Sequence, residues 1–146
     1  MKNEFLRHTL STIDYRFQKS VKKADDNFGD FTLGKGSRTP RQIINHMYDV
    51  LHGTRLFVNQ EKAETKEPEL LSLESEIKRF NDELKTLDFV FSEKELEVNF
   101  VKRLLQGPLS DILTHIGQIS MLSRMNDHPI KHEDFSAAHI TTGKTE

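Results

Sequence analysis

The sequence predicts an all-α fold, a four-helix bundle that forms one domain over residues 1–146. Four segments repeat apolar residues at steps of three and four, which is the period of an amphipathic helix. No segment shows a strand pattern of comparable strength, and the length suits one domain with one core. Four helices of this kind bury their apolar stripes against one another. Because some connections between them are long, tight turns throughout are not expected.

The first helix is predicted over residues 3–24 and is followed by a glycine-containing loop over residues 25–38. The second helix begins at Thr39-Pro40-Arg41-Gln42 and runs to about residue 59. There Thr39 and Gln42 can form a capping box, and Pro40 suits the first helical position. The apolar residues of the first stripe are Leu6, Leu10, Ile13, Phe17 and Val21, and those of the second are Ile43, Ile44, Met47, Val50, Leu51, Phe57 and Val58.

A charged connection over residues 60–69 leads to a third predicted helix over residues 70–88. Its stripe alternates steps of three and four and spans fewer than three heptads, which favours bundle packing over a long coiled coil. The pattern of residues 89–106 is compatible with extended structure and with a helical turn. The third stripe consists of Leu70, Leu73, Ile77, Phe80, Leu84 and Leu87.

The fourth helix is predicted over residues 108–126. Pro108 disfavours α geometry at Gly107, so a break in the helical structure is expected there. Residues 127–146 contain Pro129 and have no period. We expect an extended C-terminal tail that lies over the bundle or over a neighbouring subunit, or that is partly disordered.

Composition excludes several classes of function. The formal net charge is -2, from 21 basic and 23 acidic residues, so no basic excess indicates a nucleic-acid partner. The absence of cysteine excludes disulfides, thiolate nucleophiles and zinc-thiolate sites, so any metal ligands must be His, Asp or Glu. No stretch reaches the roughly 18 apolar residues that span a bilayer, and the N-terminus lacks a signal-peptide pattern. The sequence therefore predicts a cytoplasmic protein with no membrane partner.

The candidate site lies at the polar borders of the second and fourth helices. His46 lies at the edge of the second apolar arc, and His115 at the edge of the fourth, with Asp111 and Gln118 on the same stripe. If the starts of the two helices meet, then His46, Asp111 and His115 converge. Two imidazoles and a carboxylate suit zinc, nickel or iron(II) and leave positions open for water or substrate. The alternative is an ordinary polar border with structural histidines.

Other polar residues are assigned to solvent. His8 and His52 fall opposite the apolar stripes of their helices, and Asp49 points largely outward beside His52. His128, His132 and His139 lie in the irregular tail, where an accidental cluster explains them better than a site.

Several motifs resemble those of the DinB/YfiT-like metalloenzymes. The last helix reads Thr-His-Ile-Gly-Gln-Ile-Ser-Met-Leu-Ser-Arg-Met over residues 114–125, and Asp-His-Pro-Ile-Lys follows from Asp127. The second helix reads Thr-Pro-Arg-Gln-Ile-Ile-Asn-His over residues 39–46, with its histidine soon after the helix start. The likeness extends over nearly the whole chain in helix order and length, through short and divergent motifs.

The resemblance implies a four-helix bundle with a long crossover and a metal held by one histidine and two ligands four residues apart. These positions are His46, Asp111 and His115 here. Many members have histidine where this chain has Asp111, and a carboxylate there favours iron, manganese or nickel. Gln118 would then orient a ligand or a substrate.

For function, the resemblance implies metal-assisted thiol transfer or hydrolysis of a small-molecule substrate. A metal-bound water or thiol would be the nucleophile, and a low-molecular-weight thiol such as bacillithiol, mycothiol or glutathione would be the cosubstrate. Members are often homodimers. The alternative is a non-catalytic helical bundle, a ligand-binding or stress-related dimer in which the histidines are structural.

Overall fold

The computed structural model describes residues 1–145, and within them it contains α-helices and short helical turns but no β-strand. This confirms the predicted all-α bundle. Two single turns of 3-10 helix, Phe28–Asp30 and Phe135–Ala137, lie outside the α-helices. The α-helices are α1 (Glu4–Val21), α2 (Pro40–Val58), α3 (Leu73–Glu93), α4 (Val98–Leu104) and α5 (Ser110–Met125).

The start of α2 is fixed by the predicted capping box. The Thr39 hydroxyl accepts a hydrogen bond from the Gln42 N–H, and the Gln42 side-chain oxygen accepts one from the Thr39 N–H at 2.8 Å. The N–H groups of Thr39 and Gln42, which have no partner within the helix, are thereby hydrogen-bonded. This places the first turns of α2, and with them His46, at a defined position.

The third helix begins three residues later than predicted. The Ser72 hydroxyl accepts a hydrogen bond from the Ser75 N–H, so Ser72 caps the helix and Leu73 is its first residue. Leu70 lies outside α3 and is 38% exposed, and its assignment to the buried stripe was therefore wrong. At the other end α3 continues to Glu93, because Phe91 is fully buried and extends the apolar stripe by another turn.

The predicted break in α geometry at Gly107 is present as a π-helical turn, but the start of the helical segment at residue 108 was wrong. Instead α4 begins at Val98 and passes into α5 through a π-helical turn, Leu105–Leu109. The wider turn accommodates Pro108, which has no N–H to donate and would clash in a regular α-helix. The Ser110 hydroxyl donates to the carbonyl of Leu105 and so satisfies an acceptor within this turn.

Helices α2 and α3 lie side by side and run in the same direction. Arg41, at the start of α2, donates to the carbonyl of Leu71 at 3.0 Å, just before the start of α3. Lys94, just after the end of α3, donates to the carbonyl of Val58, the last residue of α2, at 3.3 Å. Residues 59–72 must therefore span the length of the bundle between the two helices.

Helix α1 runs antiparallel to α3. Near its start, Arg7 forms two hydrogen bonds of 2.9 Å with Asp88 in the last part of α3. Near its end, Gln18 donates to Asn81 at 2.8 Å. Because a bidentate guanidinium–carboxylate pair fixes both groups in one plane, these contacts set the register of the two helices.

The core lies between α1, α2, α3 and the segment in which α4 continues into α5. It is filled by large apolar side chains. Phe17 and Phe80 pack with ring centres 4.6 Å apart, and each is fully buried. Burying one such side chain contributes about 1.5–3 kcal/mol. Phe57 was predicted to join this core but is 49% exposed, and its ring stacks on Phe100 at the surface instead.

Residues 127–145 lie along α1. Glu133 accepts a hydrogen bond from the Tyr15 hydroxyl at 2.9 Å, and Gly143 donates to the Ser11 hydroxyl at 3.1 Å. His8, which was assigned to solvent, hydrogen-bonds to Thr142 at 2.7 Å through its Nδ1. The solvated assignment of His8 was therefore wrong, because the tail covers that face of α1.

Candidate functional site

The side chains of His46 and His115 meet between α2 and α5. Their ring centres are 4.9 Å apart and the rings are nearly perpendicular, at 88°. Both residues are half-buried, since Met47 and Ile116, their neighbours in sequence, point into the core and leave the histidines at its border. Two of the three predicted ligands are therefore in contact.

The orientation of the His115 ring is set by Gln118. The Nδ1 of His115 lies 2.9 Å from the side-chain oxygen of Gln118 on the next turn of α5. An amide oxygen can only accept, so Nδ1 carries the proton. In the neutral ring the lone pair is then on Nε2, and this is the arrangement in which metal-bound histidines are usually held.

Charges of both signs surround His46. Burial lowers its pKa below the ordinary value of 6.5, and the positive charge of Arg38 and the electrostatic interaction with His115 lower it further. The carboxylates of Asp49 and Asp111 oppose this shift. His46 is therefore predominantly neutral at pH 7, with a nitrogen lone pair available for a hydrogen bond or a metal.

His46 and Asp49 line a cavity of about 520 Å³. The prediction that Asp49 points largely outward was therefore incomplete, because Glu67, Pro68 and Leu70 of the connection after α2 line the same cavity. Sequence reasoning also missed Arg38, whose position directly before the Thr39 cap holds it beside the first turns of α2. The remaining lining residues are Gly36, Ser37, Gln42, Asn45, Glu67, Pro68 and Leu70.

The spacing of the two imidazoles fits a shared ion. A metal about 2.0–2.1 Å from an imidazole nitrogen lies about 3.2 Å from the ring centre, so two rings that share a tetrahedral or octahedral ion have centres about 4.5–5.2 Å apart. The observed 4.9 Å lies within this range. An edge-to-face contact without an ion gives similar spacings, of about 4.5–7 Å. The ring separation therefore agrees with both the metal and the structural interpretation.

Asp111 does not complete a three-ligand cluster. It is exposed one turn before His115, although its charge acts on His46. Among residues 1–145 no group of three His, Asp or Glu side chains is arranged to hold an ion. The two imidazoles thus fit a metal ion, and Asp111 and Asp49 are the carboxylates whose charge acts on His46.

A second polar cluster joins α2 to α3. His52, which was assigned to solvent, has a side chain only 19% exposed, and its Nδ1 lies 3.0 Å from a carboxylate oxygen of Glu83. Arg55 donates to the same oxygen at 2.9 Å, and Glu83 is 5% exposed. The assignment of His52 was wrong because the parallel neighbour α3 covers this face of α2. The cluster satisfies a buried carboxylate and so fixes the helix pair.

Neither a family model, nor a curated protein, nor a solved structure matches this chain. None of the helices within residues 1–145 combines the length and apolar character that would be needed to cross a membrane.

Proposed function

We propose that this protein binds a divalent metal ion, zinc, nickel or iron, through the imidazoles of His46 and His115, and that the exposed carboxylate of Asp111, one turn before His115, turns toward the ion as the third ligand. The observation that carries the proposal is the 4.9 Å separation of two imidazoles from different helices. It is supported by the Gln118 hydrogen bond, which leaves Nε2 of His115 as the nitrogen with a lone pair. The burial that keeps His46 neutral acts in the same sense, because only a neutral imidazole binds metal.

We further propose that the bundle is of the DinB-like kind, with a long crossover and an extended C-terminal tail. The parallel course of α2 and α3 supports this, because two parallel neighbours require a connection as long as the helices themselves. Residues 59–72 are that connection, and part of it lines the cavity at His46. The contacts of residues 127–145 along α1 support the proposed tail.

The proposed reaction class is metal-assisted thiol transfer or hydrolysis of a small molecule. When bound, a divalent ion would supply Lewis acidity that lowers the pKa of a thiol or of water. The residues of the chain would provide the rest. Gln118 would hold the ring of His115, Arg38 would attract an anionic group of the substrate into the cavity, and the walls from residues 67–70 would limit access of water.

The metal proposal is tested by metal analysis of the intact protein after chelation and reloading with zinc, nickel or iron. We expect close to one ion per chain, lost in His46→Ala and in His115→Ala while the helical circular dichroism stays. His128→Ala, at an exposed histidine of the tail, is the matched control and should retain the ion. Equal and negligible metal in the wild type and all variants would overturn the proposal. Turnover of a chloro-dinitro arene with thiols then tests the reaction class.

A non-catalytic bundle is the second candidate, and one observation favours it. The two histidines are in edge-to-face contact, and within residues 1–145 no third ligand is gathered around them. In that case His46→Ala would lower the free energy of unfolding in metal-free buffer, and added metal would not stabilise the wild type. If metal stabilised the wild type but not His46→Ala, the result would support the metal-binding protein, the first candidate.

A further inference from the structure

A large cavity lies away from the two histidines, and its lining combines apolar and basic groups. It has a volume of about 800 Å³ and lies between the C-terminal half of α1, the first part of α3 and the tail. Val21, Ile77 and Ile130 supply apolar surface, and Lys22, Lys23 and Lys131 supply positive charge. The volume is within the range of about 300–1,000 Å³ that is typical of small-molecule sites.

We propose that this cavity binds a small amphipathic carboxylate, with its apolar body on Val21, Ile77 and Ile130 and its anionic group beside Lys22 and Lys131. The apolar surface would otherwise remain in contact with water, and covering it would contribute about 25 cal/mol for each Å² removed from water. The carboxylate fits the basic side of the lining. The inference does not depend on a metal at His46.

The charge balance of the lining favours an anion. Four lysines face two carboxylates, those of Asp14 and Glu133. The C-terminal end of α1 adds about half a negative charge through its peptide dipoles, which the lysines also exceed. Lys19 is committed to Glu133, whereas Lys22 and Lys131 are exposed and form no ion pair with any described residue. Lys23 donates to the carbonyl of Pro129 and forms no ion pair with a described residue either. An anionic ligand would therefore find three ammonium groups without an acidic partner, of which those of Lys22 and Lys131 form no hydrogen bond with a described residue that would compete.

The tail forms one wall of the cavity, so ligand binding and tail docking should stabilise each other. Ile130, Lys131 and Glu133 all belong to the tail. Glu133 holds this wall to α1 through hydrogen bonds from Tyr15 and Lys19. A ligand that needs both walls binds only the docked form, and by linkage it must favour docking.

The test uses the intact protein and decanoate, kept below its micelle concentration, in isothermal titration calorimetry. We expect one saturable site. The double variant Lys22→Ala/Lys131→Ala should lose at least tenfold in affinity. The control Lys85→Ala/Lys102→Ala removes the same charge from exposed positions on α3 and α4 and should bind as the wild type does. No saturable binding, or equal losses in the two double variants, would overturn the proposal.

Glu133→Ala separates a built cavity from simple charge attraction. The variant gains net positive charge, so nonspecific attraction of an anion would increase. We expect the opposite, a loss of decanoate affinity, because the tail wall loses its attachment to Tyr15 and Lys19. Unchanged or tighter binding would contradict the proposal. So would binding of the wild type to anionic phospholipid vesicles with no binding of free decanoate, since that result indicates a membrane surface site.

Protection from trypsin provides a readout that needs no variant. Decanoate should slow cleavage after Lys131, which lies in the cavity wall, and should not slow cleavage after Lys62, which is exposed in the connection after α2. The Lys62 site reports any effect of the ligand on trypsin itself. Equal effects at the two sites, or no effect at Lys131, would overturn the coupling of ligand and tail.

Discussion

The imidazoles of His46 and His115 meet edge to face across the contact between α2 and α5, with ring centres 4.9 Å apart. Neither helix alone could bring them together, because each supplies one ring. The capping box that starts α2 and the π-helical turn that leads into α5 together set the positions of the two rings. The orientation of each ring depends in addition on the side chain that hydrogen-bonds to it, and for His115 this side chain is Gln118.

Gln118→Leu should release the ring of His115. In the metal-free protein the Nδ1–H form is favoured by the Gln118 acceptor at 2.9 Å, so nitrogen NMR shifts of His115 should move toward the Nε2–H tautomer in the variant. Metal affinity, as proposed above, should fall by about 10–100-fold. Gln106→Leu, at an exposed amide, is the matched control. An unchanged tautomer would remove Gln118 from its orienting role.

The phenol of Tyr15 should titrate at unusually high pH. Its hydrogen bond to Glu133 raises the pKa of Tyr15 above the ordinary value of 10.0, with burial and the charge of Glu133 acting in the same sense. Tyr48→Phe leaves Tyr15 as the single tyrosine, because the chain has two. An absorbance titration of this variant should show the raised pKa, and adding Glu133→Ala should return it toward 10.0. Equal titrations would show that the tail is not docked at Tyr15.

As pH falls, the tail should detach from α1 before the helical bundle unfolds. Hydrogen bonds from Lys19 and then Tyr15 lower the pKa of Glu133 below its ordinary value of 4.5. A group with a lowered folded pKa contributes stability that is complete above the ordinary value and is lost as pH falls through the lowered one. NMR shifts of tail amides near Phe135 should therefore change below pH 4.5, while the helical circular dichroism is retained. Tail shifts that stay constant through this range would contradict the prediction.

Local sequence signals predicted some helix ends well and others poorly. The start of α2 was predictable because its determinants, Thr39, Pro40 and Gln42, lie within one turn. The passage through Pro108 was not, because a π-helical turn depends on side-chain partners such as Ser110 as well as on the local preference of Gly107. Periodicity identifies the apolar face of a helix but does not show how the wider turn accommodates a proline.

The histidine contact was predictable for a similar reason, and its surroundings were not. The borders of two apolar arcs must face the same interface when the helices pack, so His46 and His115 could be expected to meet. Whether the polar face of a helix is exposed to solvent depends on which other segments pack against it. The connection after α2 lines a cavity together with Asp49, and α3 covers His52. Neither placement can be derived from the pattern of α2 itself.

Glu76→Ala should strongly destabilise the fold. Glu76 is fully buried at the start of α3 and accepts hydrogen bonds from Asn45, the Leu71 N–H and Arg79. Removing the carboxylate leaves the Leu71 N–H without its acceptor and Arg79 without its ionic partner, while Asn45 and Arg79 keep the carbonyl of Glu69. Loss of the buried ionic partner costs about 3–5 kcal/mol. Urea unfolding should measure this against Glu74→Ala, an exposed neighbour expected to change stability by about 0.5 kcal/mol or less. Similar values for both would mean that water solvates the donors.

Gly143 should be much less tolerant of alanine than Gly34. Both have a positive φ, 84° and 74°, so both substitutions carry the cost of a left-handed conformation, about 1–2 kcal/mol. At Gly34 a Cβ would meet nothing within 4 Å, whereas at Gly143 it would lie 2.6 Å from Nη2 of Arg7. Arg7 cannot move away without breaking its two bonds to Asp88.

The difference between the two variants therefore reports on the packing of the tail end. We expect Gly143→Ala to lower the free energy of unfolding by about 1 kcal/mol or more beyond Gly34→Ala, since it displaces Arg7 or the tail. If the tail moves instead of Arg7, the NMR shifts of Ser11, which accepts from the Gly143 N–H, will change while those of Asp88 stay constant. Equal losses of stability in the two variants would show that the end of the tail does not pack on Arg7.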